Sequence, residues 1–236
     1  MSLFYRILYQ VGFTPWEEGA TGGPAAEQIA RLFEREERER RQPYGPALDL
    51  GCGSGIWSVI LAQRGWQVTG VDIVPKAVRR ARDRAKAAGV AARFVCGDVT
   101  ALQSAGIEPG FRLILDFECF NHLSETQRQA VGREVSVVAA PDATLLVLAW
   151  IPGRRWPLPP GASRRDLASA CRSGKLLMRR LTTCLRCPRR CGRSSHAFIG
   201  SAASERPDRR ACAPPNKALQ QTSLSLRLRR RSGARC

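Results

Sequence analysis

The sequence predicts an α/β protein built on a doubly wound, mostly parallel sheet with helices on both faces. Three observations carry this expectation. Short apolar runs alternate with helical segments from position 47 to about position 151. The first run passes directly into a glycine-rich turn, in "LDLGCGSGIW" at 48–57. The first four runs each carry an aspartate at or near their carboxyl end. Strands and helices of these lengths imply right-handed βαβ crossovers and a sheet buried on both sides.

Taken in order, residues 5–16 ("YRILYQVGFTPW") are aromatic-rich and end in a Thr-Pro turn. Pro24 suits a first helical turn, and Ile29, Leu32 and Phe33 form an apolar stripe, so a helix is expected over 24–41. "ALDL" is the first strand, and a helix from Gly55 to Arg64 follows. "QVTGVDI" is the second strand. Pro75 opens a helix to Ala88 with Ala77, Val78, Ala81 and Ala85 inward, and Gly89 caps it. "ARFVCGD" and "FRLILDF" are the third and fourth strands. Ser124 N-caps a helix to Ala139, Pro141-Asp142 makes a turn, and "ATLLVLAWI" is the fifth strand. Ser163 with Asp166 three residues on can start a further helix. From about Ala168 no period of 2 or 3.6 is expected, and no sixth or seventh strand.

Composition splits the chain at about the same place. Of 236 residues, the last 69 hold 17 Lys+Arg against 2 Asp+Glu, whereas residues 1–167 hold 21 against 18. The net charge of +18 therefore belongs mainly to the tail and not to the body. Cys52, Cys96 and Cys119 sit among apolar neighbours and read as reduced thiols. The N-terminal stretch lacks a clean apolar signal region, and the apolar run Ala143–Ile151 is too short to span a bilayer. A soluble, cytoplasmic chain without a membrane partner is expected.

In an open parallel sheet, ligands sit beyond the carboxyl ends of the strands. Gly51, Gly53 and Gly55 fall there. A dinucleotide fingerprint needs a third glycine at position 56 or 58, which hold Ile56 and Ser58. A phosphate-binding P-loop fails as well, since no Gly-Lys-Ser/Thr follows. The G-x-G-x-G spacing after Asp49 suits an adenosine carrying an amino acid at its 5′ position. Asp49 can engage the ammonium, directly or through water. Gly51 and Gly53 let the backbone approach without a Cβ. Asp72 can accept both ribose hydroxyls, with Ile73 beside it. Asp98 can accept from the adenine amine, with Val99 as an apolar wall.

"LDLGCGSG", "GVDIV" and "GDVT", in this order, resemble motifs I to III of class I S-adenosylmethionine-dependent methyltransferases, which have a Rossmann-like sheet. The resemblance covers roughly residues 1–166. It implies S-adenosyl-L-methionine as cofactor and methyl transfer by in-line displacement. "GFTPWE" and "DFECFNHL" are similar to the small-molecule branch, as in thiopurine and tellurite-resistance methyltransferases, which implies a small-molecule acceptor. In that branch an aromatic N-terminal segment lids the cofactor. Trp16 takes that place here, with plain packing as its other role. Glu118 and His122 follow the fourth strand on the ligand side. His122 either takes a proton from the acceptor or caps the next helix.

The "DFECF" loop lacks the Pro-Pro-aromatic and Pro-Cys arrangements of nucleic-acid base methylation in this family, so a nucleic-acid substrate is not expected of the core. The family's last two strands are expected to be missing, as from a truncated or frame-shifted coding end, which would leave an inactive fragment. The expected organisation is a methyltransferase core at 1–166 and a disordered basic tail at 167–236. Within the core, 1–46 forms a cap and helix and 47–152 the cofactor-binding sheet. For the tail two further readings stay open. One is a nucleic-acid-binding or RNA-modifying appendage. The other is a zinc array of Cys184, Cys187, Cys191 and His196, although no metal is expected in the core.

Overall fold

The computed structural model describes residues 2–14, 17, 22–150, 161–173, 181–185 and 221–227. Its elements are α1 (Ser2–Val11), α2 (Gly23–Arg38), β1 (Pro46–Leu50), α3 (Ile56–Gln63), β2 (Gln67–Asp72), α4 (Pro75–Ala87), β3 (Ala92–Cys96), β4 (Phe111–Phe117), α5 (Glu125–Val138), β5 (Ala139–Trp150), α6 (Arg164–Ser173), β6 (Leu181–Leu185) and β7 (Gln221–Arg227). A short 3₁₀ turn, Cys119–His122, links β4 to α5. Among the described residues no helix is long and apolar enough to cross a membrane.

The sheet has seven strands in the order β3-β2-β1-β4-β5-β7-β6. β1 pairs in parallel with both β2 and β4, so the chain reverses its direction of winding at β1. That places a crevice at the carboxyl ends of β1 and β4, where a doubly wound sheet takes its ligand. Side chains alternate across this buried sheet. Leu113, Leu115, Leu146 and Leu148 pack with Ile29, Phe33 and Leu61 on one face. Ile114, Leu145 and Val147 pack with Val131, Val135 and Leu167 on the other. Both faces being apolar explains why these strands read as continuous apolar runs.

The last two strands, expected to be missing, are present. β7 pairs antiparallel with β5 from Thr144↔Arg227 to Trp150↔Gln221, and β6 pairs antiparallel with β7. The period-2 alternation of Leu and Ser in "TSLSLRL" was the signal for β7, obscured by the surrounding arginines. The boundary at 166/167 also falls inside α6. Leu167, Ala170 and Cys171 of that helix are buried in the core. Arg128 of α5 donates to the Gly161 carbonyl at 2.9 Å and pairs with Asp166 at 3.5 Å, holding the start of α6. Ser163 and Asp166 cap it reciprocally, since the Asp166 carboxylate accepts from the Ser163 N–H and the Ser163 hydroxyl accepts from the Asp166 N–H.

The turn expected at Pro141-Asp142 lies within β5. The β4–β5 register slips there, from Phe111↔Ala139 to Leu113↔Thr144. Inserting residues in one strand only lets a proline sit where no ladder bond is needed.

Candidate cofactor site

The turn after β1 is built by backbone hydrogen bonds that leave no freedom in its course. Gly51 and Cys52 both donate to the Val71 carbonyl, at 2.8 and 3.0 Å, tying the turn to β2. Gly51 and Gly53 have φ of +66° and +54°, a region that disfavours a side chain. The space each glycine leaves is in use. A Cβ on Gly51 would lie 2.7 Å from the Cys119 Cβ, and one on Gly53 would lie 2.7 Å from the Tyr9 hydroxyl oxygen. Gly55 has a φ of +76° as well, and a Cβ there would meet Ala81 of α4 at 2.8 Å.

Asp72 ends β2 beside the turn. Its Oδ2 accepts from the Gly53 N–H at 2.9 Å, and its Oδ1 accepts from the Val74 N–H at 2.8 Å. A carboxylate has about four acceptor sites, so one site on each oxygen remains for a pair of vicinal hydroxyls. Burial pushes its pKa above the usual carboxylate range, and the two N–H donors oppose that shift. Asp98 is arranged in the same spirit. Its Oδ1 accepts from both the N–H and the hydroxyl of Thr100, at 2.8 and 2.7 Å, which directs its capacity for a further donor to Oδ2. Ile73 is exposed next to Asp72, whereas Val99 is buried with Val71 and Leu102.

Asp49 lies beneath the turn, 3% exposed, and accepts from the Ser58 hydroxyl at 2.6 Å. Burial raises its pKa to about 7. The Ser58 bond works against this, and the neighbouring Asp72 adds to it. Asp116 at the end of β4 was given no role by the sequence. It is 2% exposed, accepts from the Phe120 N–H at 2.9 Å, and is likewise raised to about 7 by burial. A cation held among these carboxylates would therefore complete an environment that burial alone disfavours.

A carboxyl whose folded pKa is raised keeps its proton in the folded chain after the unfolded chain has lost it. The folded state is then favoured at low pH and loses stability as pH rises from about 4 to about 7. Asp49→Asn removes that loss and is expected to stabilise the chain at pH 8 by about 2–4 kcal/mol, with little change at pH 4. Denaturant melts at the two pH values check it, and an equal effect at both would contradict it.

Trp16, expected to lid the cofactor, lies outside the described residues. Tyr5 and Tyr9 of α1, four residues apart and so on one helical face, reach His122 and the glycine turn. The Tyr9 ring lies under the Arg80 guanidinium, 5.7 Å from its carbon. The Tyr5 hydroxyl stands 2.8 Å from Nε2 of His122 and 2.9 Å from Nδ1, with the rings edge to face. Burial lowers the His122 pKa to about 4, so the ring is neutral near pH 7 and a weaker base than an exposed histidine. Glu118 is the non-glycine residue with positive φ among the described residues, at +74°, and its N–H donates to the Leu148 carbonyl at 2.8 Å. Such backbone costs about 1–2 kcal/mol and marks the β4 end as a place where geometry outranks propensity. The i, i+4 spacing of Tyr5 and Tyr9 in the aromatic N-terminal stretch was the signal for the lid pair. Nothing in the sequence ties Tyr5 to His122. Of the tail's zinc array, Cys184 lies in β6, and Cys187, Cys191 and His196 lie outside the described residues.

Residues 47–142 match the methyltransferase domain family. The chain is 28% identical over 137 residues to a 2-heptyl-1-hydroxyquinolin-4(1H)-one methyltransferase of Mycobacteroides abscessus, covering 58% of this chain and 56% of that one. It is 36% identical over 77 residues to the ribosomal RNA small subunit methyltransferase C of Alcanivorax borkumensis, covering 33% of this chain and 24% of that one. The chain thus spans little more than half, or less, of these relatives' lengths. Among solved structures it is similar to magnesium protoporphyrin IX methyltransferase from Synechocystis with bound S-adenosylmethionine. There the TM-score is 0.65 at 15% identity, over 97% of this chain and 96% of that one. Residues 47–142 are thus similar to the methyltransferase domain family, and the fold is similar to that of S-adenosylmethionine-dependent methyltransferases of known structure.

Proposed function

We propose that the chain transfers a methyl group from S-adenosylmethionine to a small-molecule acceptor. The observation that carries this reading is the pair Asp72 and Asp98. They stand at adjacent strand ends beside the glycine turn, each with acceptor capacity left after its protein bonds. Asp72 would take the ribose hydroxyls with Ile73 alongside, Asp98 the adenine amine, and Val99 would back it. Gly51, Gly53 and Gly55 would shape the turn against the amino-acid side, with Asp49 setting the charge beneath. When bound, the sulfonium supplies an activated methyl group, so alignment and proximity are the main demands on the protein.

Tyr5, Glu118 and His122 surround the acceptor side in this reading. A neutral His122 can accept a hydrogen bond or a passing proton, and its low basicity returns that proton to solvent at neutral pH. The narrower likeness to thiopurine and tellurite-resistance methyltransferases rests on "GFTPWE" and "DFECFNHL" and on the proline-free "DFECF" loop. A small-molecule acceptor is also what the Mycobacteroides relative's name describes. RNA is the second reading, favoured by the 17 cations of the last 69 residues and by the ribosomal RNA relative.

Labelled S-adenosylmethionine offered with a panel of thiols, amines, phenols and selenium or tellurium oxyanions, and separately with bulk RNA, tests both readings. Label is expected in small molecules. Transfer to RNA alone would move the acceptor class, and failure of S-adenosylmethionine to bind in calorimetry would overturn the proposal.

A further inference from the structure

Three of the large apolar side chains that stand exposed among the described residues belong to α1 and the residues just after it. Ile7 is 52% exposed, Val11 70% and Phe13 60%. Ile7 and Val11 are one turn apart on α1, Phe13 follows that helix, and α1 lies against the start of α4 through Tyr9, Val74 and Ala77. Beside them runs an open groove of about 370 Å³ between α1 and the start of α4. Arg6, Lys76 and Arg79 line it together with Ile7, Val74 and Pro75, and no carboxylate does. Lys76 Nζ donates to the Gln10 carbonyl at 3.0 Å and so ties the two helices together. The inner face of α1 is spent on Tyr5 and Tyr9, which leaves this outer face without a partner among the described residues.

We propose that this face docks the chain peripherally on an anionic lipid surface. A headgroup phosphate would sit in the cationic groove, and Ile7, Val11 and Phe13 would enter the acyl boundary. A helix with apolar side chains on one stripe and cations beside it lies in the plane of such an interface. The charge decides against other occupants. A second copy in a two-fold contact would set Arg6, Lys76 and Arg79 against their own equivalents. A nucleic acid would satisfy the cations and leave three apolar side chains in water, since base stacking asks for aromatic platforms and only Phe13 is one. The absence of a spanning run, from which no membrane partner was expected, does not bear on a peripheral contact. The docked face is the outer side of the helix that covers the candidate cofactor site, so the site's mouth would lie near the lipid.

Sedimentation of the full chain with vesicles of phosphatidylcholine alone, or with about a third phosphatidylglycerol, tests this. Binding is expected to the anionic vesicles and not to the neutral ones. Each cation removed near a charged surface weakens attachment by roughly fivefold, so Lys76→Glu with Arg79→Glu is expected to reduce binding by at least tenfold. Ile7→Ser with Val11→Ser leaves the charge unchanged and is expected to reduce binding by a similar factor. The melting temperature of the Ile7/Val11 variant should stay at the wild-type value, because both side chains are exposed. Millimolar inorganic phosphate or glycerol phosphate should not displace the chain. Wild-type binding by the Ile7/Val11 variant would assign the attachment to the basic C-terminal residues and overturn the proposal. Equal binding to neutral vesicles, or displacement by free phosphate, would overturn it too.

Discussion

Replacing Asp72 by alanine is expected to lower the affinity for S-adenosylmethionine by roughly 30- to 150-fold. The estimate is the loss of two hydrogen bonds to a charged group, about 2–3 kcal/mol in all. The variant has a second consequence that must be separated from the first. Asp72 also accepts from the N–H groups of Gly53 and Val74, so alanine frees two donors of the turn. It relieves a buried carboxylate at the same time, and the two effects on stability oppose each other. Asp72→Asn is therefore the useful companion, since it keeps an acceptor for one turn N–H and lacks the charge. Calorimetry should rank wild type above asparagine and asparagine above alanine, with the folded fraction checked by melting. Unchanged binding in both variants would remove Asp72 from the ribose position. Preference for a nicotinamide dinucleotide in the wild type would remove the adenosyl ligand altogether.

The parts of this site that the sequence disclosed are those where backbone geometry restricts the residue. Positive φ at Gly51 and Gly53 and close packing at Gly55 admit little but glycine, so the turn is written plainly into the chain. Strand ends carrying aspartate next to that turn are legible for the same reason. Side chains brought from far along the chain are not. Tyr5 and His122 are 117 residues apart and meet only because α1 folds back over the β4 end. The roles of Asp49 and Asp116 depend on burial, and an alternating apolar strand shows which side chains go inward without showing how dry the place is. The C-terminal strands failed for another reason. Strands of five and seven residues lie among long stretches of arginine, serine and proline, and composition averaged over the tail outweighed a local alternation. The helix α6 was half legible, since the Ser163–Asp166 cap could be read while its core contacts could not.

Those C-terminal elements carry the other large expected effect. Gly132→Ala is expected to destabilise the chain by about 3 kcal/mol or more. A Cβ at that position on α5 would overlap the carbonyl oxygen and carbon of Ala170 in α6. Backbone cannot move aside as a side chain does, so α6 must shift from the sheet. With it would go the burial of Leu167, Ala170 and Cys171, worth about 3–5 kcal/mol at the usual value of apolar area. A chain ending at residue 166 tests the same contact from the other side. It lacks those three side chains, and it lacks β7, which pairs with β5 along seven residues. β5 would then present an unpaired edge, a known route to aggregation. Denaturant titration of Gly132→Ala and of the shortened chain should show both well below the wild type, with the shortened chain prone to precipitate. If the 1–166 chain instead melts at the wild-type midpoint and remains monomeric, α6, β6 and β7 contribute nothing to the fold. The abrupt change in composition near position 167 would then mark its true end.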